Sequence, residues 1–174
     1  MNTQMLKSLS LLPVLAATTL VGVTGLFNPL PGVAQTAKYF CDTSGQNPRT
    51  MARTPRGVVT ILSWARTVKE YAPLTRCQQV SARFQNLHQE GSLRFITSGR
   101  RNGENIICVA SERNGPCLKN GLLFTLKPGA SPAATIRQMV RISQDATDAT
   151  VVNESSDARI YVSIDDLLNG TAER

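Results

Sequence analysis

Four cysteines, Cys41, Cys77, Cys108 and Cys117, constrain this chain more than any other feature, because all of them lie behind an apolar N-terminal stretch and none lies within it. An even number of cysteines in a small exported chain reads as a disulfide framework. Four thiols allow three connectivities. Cys41 with Cys77 and Cys108 with Cys117 is favoured, because Glu112-Arg113-Asn114-Gly115-Pro116 carries residues that reverse a chain between the last two thiols. Loop-closure entropy gives the longer bridge about 4 kcal/mol and the shorter about 3. A zinc site is the competing use and fits poorly: the gaps are wide, no Cys-x-x-Cys pair occurs, and His88 is the sole histidine.

Export is read from residues 1–34. Lys7 is the one charged side chain ahead of an apolar run over residues 9–23, and Asn28-Pro29-Leu30-Pro31 follows as a helix-breaking turn. Gly32-Val33-Ala34 sets small residues at the −3 and −1 positions of a signal-peptidase site. Cleavage after Ala34 is expected, with Gln35 as the first mature residue. Ser10, Pro13, Thr18, Thr19 and Gly22 dilute the run, where a membrane span requires about 20 predominantly apolar residues. No cysteine follows the run and no twin arginine precedes it, which disfavours a lipoprotein or a twin-arginine route.

The chain has a net charge of +7, and loss of the leader with Lys7 leaves +6. Its placement is uneven. Residues 35–144 hold 16 Lys and Arg against 5 Asp and Glu, whereas residues 145–174 hold 2 against 7. A basic body attracts an anionic partner, whether a membrane surface, a polysaccharide, an acidic protein or its own acidic C-terminal segment. Solvated charge that maintains solubility is the plain alternative. Nucleic acid is not expected of an exported chain, and no aromatic interleaving marks a single-strand platform.

Residues 35–144 are long enough for a genuine core, with the acidic segment packed on or trailing the same domain. Residues 38–41 read as a short strand and residues 47–55, with Pro48, Arg49, Arg53 and Pro55, as an exposed loop. Residues 57–64 alternate Val58, Thr60, Leu62 and Trp64 with Val59, Ile61 and Ser63, apolar on both faces, as a central strand does. After Pro73, Thr75 with Gln78 suggests a capped helix whose apolar face is Cys77, Val80, Phe84 and Leu87, stopped at Gly91. Residues 93–97 and 106–110 flank Asn102-Gly103, a hairpin signal. Residues 122–126 read as a further strand. Ser131-Pro132 opens a second helix with Ile136, Met139, Val140 and Ser143 on one face. Residues 160–162 suggest a last strand, and Ser163 with Asp166 a short last helix. The pattern is α+β: an antiparallel sheet of about five strands with two main helices packed against it, disulfide-stapled.

No catalytic constellation is visible. His88 borders the apolar helix face near Phe84 and has no local partner with which to act as a base. Glu70, Glu90, Glu104 and Glu112 are scattered among arginines, and Asp165-Asp166 suit a helix start. Asp145, Asp148, Glu154 and Asp157 lack the alternating ligands and glycine of a calcium loop. No metal or cofactor is called for. The best lead is basic: Arg49, Arg53 and Arg56 on the first long loop, with Arg100 and Arg101 at the hairpin tip, suit bidentate contact with phosphate, sulfate or carboxylate. Trp64, the single tryptophan, closes its strand and is expected to pack in the core, with ligand stacking as its other use.

The succession Phe40-Cys41, Pro48, Thr50, Gly57, Trp64, Arg76-Cys77, Ser81, Arg83-Phe84, Leu93, Ile96-Thr97, Gly99, Asn102-Gly103, Ile107-Cys108, Cys117 and Leu122-Leu123-Phe124-Thr125-Leu126 resembles the circadian oscillating protein family of cyanobacteria. The resemblance runs over residues 38–128 and takes in all four cysteines. It implies peripheral association with membranes and an abundance that follows the daily cycle, and it offers no catalytic residue to carry over. Together with the charge, it leads to the expectation of a non-enzymatic module of the periplasm, thylakoid lumen or cell surface that meets an anionic surface or partner through its loop arginines. A small cell-envelope hydrolase or inhibitor, and a structural subunit of a membrane-associated assembly, are the alternatives.

Overall fold

The structure is a computed structural model that describes residues 37–144 and 159–170. The expected leader with its cleavage after Ala34, and the run 145–158 with Asp145, Asp148, Glu154 and Asp157, lie outside the described residues. The elements follow in the order β1 (Tyr39–Asp42), β2 (Arg49–Thr54), β3 (Gly57–Ser63), α1 (Pro73–Gln89), β4 (Phe95–Arg101), β5 (Glu104–Ala110), β6 (Leu122–Thr125), α2 (Pro132–Ser143), β7 (Val162–Ser163) and α3 (Ile164–Asn169). The class is α+β with antiparallel strands, and these divide over two sheets, β1-β2-β3 and β6-β5-β4-β7.

Three local expectations change. Residues 47–55 are not a loop: they contain β2, which pairs with β1 on one side and β3 on the other. Thr50 and Ala52 are fully buried there, while Arg53 is exposed. Because the inward residues are small or hydroxylic, the alternation carries no hydrophobic period, and Pro48 and Pro55 stand outside the strand rather than in it. Consequently β3 is an edge strand rather than a central one, with Val58 50% exposed at its start. Finally, α1 begins at Pro73 after Ala72 with no side-chain cap, so Thr75 lies inside the helix. Proline at the first position has no N–H to satisfy, which lowers the need for a cap.

The other starts agree with their sequence signals. Ser131 Oγ accepts from the Ala134 amide at 3.3 Å, and Ser163 Oγ from the Asp166 amide at 3.0 Å. Asn102 and Gly103 both take positive φ, 51° and 79°, the pairing a two-residue hairpin turn of right-twisted strands requires. The register shifts once in each sheet, around Ile61 of β3 and Leu123 of β6. Each irregularity lets two consecutive residues, Ile61-Leu62 and Leu123-Phe124, enter the core.

Helix α1 packs over β1 and β2 and reaches β6; α2 lies against β3, β4 and β5. Both helices therefore bridge the two sheets, and one hydrophobic cluster runs from Tyr39, Ala52 and Ile61 through Phe84 and Ile96 to Ile107, Leu123, Ile136 and Leu167. Cys41 is bonded to Cys77 and Cys108 to Cys117, the pairing favoured by the spacing. The described part of the acidic segment belongs to the domain. Its β7 pairs with β4, Thr97 Oγ1 donates to Ile160 O at 2.8 Å, and Ile164, Leu167 and Leu168 are buried.

Candidate functional site

The five arginines singled out from the sequence do not form one cluster of free cations. Arg49 sits at the start of β2 and is held by Asp42, Nη2 to Oδ2 at 2.6 Å. Arg53, on the same outward face, lies over the Phe40 ring at 4.2 Å. Arg56, in the β2–β3 turn, donates from Nη2 to Leu168 O at 3.1 Å, fastening α3. Arg100 donates to Gly103 O at 3.0 Å within its own hairpin. Arg101 is exposed and has no partner among the described residues. Most of this set thus serves the fold, and Arg49, Arg53 and Arg56 ride on a strand and its tight turn rather than on a long loop.

A different set of cations shares a groove. It runs beside the end of β3 and has a volume of about 470 Å³. Leu62, Trp64, Phe124, Leu126, Ala130 and Ile142 supply its apolar surface, and Ser63, Thr67, Thr135 and Gln138 its neutral polar groups. Arg66, Arg76 and Lys127 are its charged residues, and no carboxylate lines it among the described residues.

Trp64 organises this groove from the core. Its indole Nε1 donates to Thr50 Oγ1 at 3.0 Å, and Ser81 Oγ donates to the same oxygen at 3.1 Å. Thr50 and Ser81 are both buried, so this small polar hub ties β2, the end of β3 and α1 together inside the core. Phe124 meets the Trp64 ring edge-on, with centroids 5.5 Å apart. The expected packing role holds, since Trp64 is 4% exposed.

The guanidinium of Arg76 covers the indole, 4.6 Å from the ring centroid. Such a contact fixes the orientation of a cation as well as adding attraction. Nη2 of Arg76 also reaches Thr125 O at 3.5 Å, and two helical turns further along α1, Arg83 Nη1 donates to Leu123 O at 2.7 Å. These two arginines take carbonyls of β6, an edge strand, and so blunt an edge that would otherwise be open to pairing. Burial lowers the Arg76 pKa from its ordinary value, which leaves the group charged and raises the worth of any anion that approaches it. Thr125 O is its hydrogen-bond partner among the described residues, so most of its N–H donors are unused.

Neither Arg66 nor Lys127 nor Arg76 was picked out by charge density, because each stands alone in its stretch of sequence. A signal existed for Arg76 and Arg83. Seven residues apart, they border the Cys77, Val80, Phe84 and Leu87 face of α1, a position that directs a long side chain along the core's margin. His88, the sequence's one imidazole, is exposed at the other end of α1 with its ring edge-on to Tyr39, centroids 5.5 Å apart.

The assembled features define a disulfide-bonded α+β domain with a basic groove built against a buried tryptophan. The circadian oscillating protein COP23 family matches residues 38–169, and the chain belongs to that family. The match extends beyond residue 128, through β7 and α3, which agrees with the burial of those elements in the same core. No curated protein and no solved structure matches the chain.

Proposed function

We propose that the protein is a non-enzymatic, extracytoplasmic module, peripheral to a membrane, that binds an anionic surface or partner through its basic body. The observation that carries this reading is the groove that Arg66, Arg76 and Lys127 line with no carboxylate among the described residues. Like charges held together in a folded domain cost stability unless an anion is there to meet them. Arg101 at the hairpin tip adds a cation without a partner among the described residues, whereas Arg49, Arg56 and Arg100 are taken up by Asp42, Leu168 and Gly103. Two disulfides among the described residues support an oxidising compartment. No helix among the described residues is long and apolar enough to cross a membrane.

Co-sedimentation of the mature chain with anionic vesicles, and separately with an acidic polysaccharide, tests the reading. Binding at low ionic strength that weakens steeply with salt is expected. Absence of binding to both at low salt, or binding indifferent to salt, rejects it.

A further inference from the structure

The groove's cations are not equivalent. Arg66 and Lys127 are exposed. Arg76 is half-buried, fixed by Trp64 and Thr125 in one orientation, and shares the groove with an apolar lining. The accessible residues of that lining include Val68, Ala130 and Ile142, whereas Leu62, Phe124 and Leu126 are buried. A guanidinium already immobilised loses little side-chain entropy when it pairs with an oxyanion. The volume of about 470 Å³ falls among small-molecule sites, roughly 300 to 1,000 Å³. An inorganic ion would pair with Arg76 but leave the apolar lining wet; a neutral apolar molecule would cover that lining but strand the half-buried charge.

We infer that the groove takes a small amphiphilic organic anion, its oxyanion held by the Arg76 guanidinium and its apolar body laid over Val68, Ala130 and Ile142. The inference rests on the anion-binding reading above and narrows it to a ligand class. Carboxylate and phosphate monoester share the required chemistry. Arg66 and Lys127 draw the ligand in; Arg76 and the apolar surface hold it.

Trp64 is the single tryptophan of the chain and underlies Arg76, so its fluorescence reports the site directly. The mature protein is titrated with octanoate, octyl phosphate, octanol and inorganic phosphate, each below the concentration at which it aggregates. Saturable changes are expected with an octyl anion, and binding of octanol and of inorganic phosphate about tenfold weaker or more. The tighter of the two octyl anions identifies the headgroup.

R76Q is expected to weaken octyl-anion binding about tenfold or more, with R76K intermediate because lysine restores the charge without the fork. Since Arg76 also covers Trp64, the exposed pair R66Q/K127Q provides a second arm. It should keep the thermal midpoint and lose most of the salt dependence of binding. Octanol binding as tightly as octanoate, wild-type affinity in both variants, or no saturable response to either octyl anion overturns the inference. If salt-sensitive binding to vesicles or polysaccharide survives in a protein that ignores both octyl anions, this inference alone fails. If that binding is absent as well, the broader reading fails with it.

Discussion

In the three-stranded sheet the strands are fixed by groups that come from far away in the sequence: Cys41 of β1 is bonded to Cys77 of α1 across 36 positions, and Thr50 of β2 holds Trp64 and Ser81. In the four-stranded sheet the central pair, β4 and β5, is fixed locally, while β7 joins from the C-terminal end. A two-residue turn joins β4 to β5, and Cys108 is bonded to Cys117 across 9 positions. Ile107, Cys108, Val109 and Ala110 of β5 are fully buried in succession, so that strand has an apolar reason to sit centrally whatever its neighbours do. β2 has none, since its inward residues are Thr50 and Ala52. The β4–β5 pair is therefore specified by its own residues, and β1 and β2 by closures made elsewhere.

Removing the closures should separate the halves most clearly. A chain lacking the Cys41–Cys77 bridge loses about 4 kcal/mol on loop entropy, and one lacking Cys108–Cys117 about 3. Urea unfolding of the two double serine variants measures this order. Hydrogen exchange should show β1 and β2 losing protection first in the former, with β4 and β5 retaining it. Equal losses, or fraying that begins in the hairpin, would break the distinction.

The local half has a close-packed point of its own. A Cβ on Gly99 of β4 would stand 2.6 Å from Cys117 Sγ and 3.8 Å from Cys108 Sγ. G99A is expected to cost about 2 to 3 kcal/mol by overpacking. The cost should shrink when the bridge is removed, since the sulfur it meets is then gone; a double-mutant cycle reads that coupling, and additivity would dismiss it. In the other half, T50V leaves the Trp64 indole N–H and the Ser81 hydroxyl without their partner in the core. A loss of about 2 kcal/mol follows, with a shift of Trp64 emission. S81A, which strands no donor, should cost less.

The same difference decided what could be read from the sequence. The hairpin was legible because Asn102-Gly103 needs positive φ at both positions and flanks apolar runs. The helix faces were legible from period, and the cysteine pairing from the turn residues between Cys108 and Cys117. β2 was not, because burial of threonine and alanine leaves no hydrophobic trace, and its arginines gave it the look of a loop. β3 reads as a central strand because both its faces are apolar, yet it pairs with β2 alone and forms the edge of its sheet. The groove was illegible for a related reason. Arg66, Arg76 and Lys127 come from three separate segments, and charge counted along a chain finds runs rather than convergences. Arg49 and Arg100, conspicuous in sequence, turned out to have partners within a few residues.

The smallest effect concerns pH, and it too belongs to one half. His88, on α1, is the chain's single histidine and lies against Tyr39 of β1, with Lys38 as its charged neighbour. Burial of the ring, and secondarily the Lys38 charge, lower its pKa in the fold. The unfolded chain therefore takes up a proton at His88 more readily than the folded one. The stability that His88 contributes is full above the unfolded value, about 6.5, and is lost as pH falls through the lower folded value. Because the ring is largely in solvent the loss is slight. Asp42, held below the usual carboxylate range by hydrogen bonds from Ser44 and Arg49, acts at lower pH and stays out of this window. Urea midpoints taken between about pH 7.5 and about pH 5 should fall slightly in the wild type, and H88Q should flatten that slope. Stability that rises on acidification would require an anionic neighbour at His88, and would move the pH sensitivity out of the β1–α1 contact.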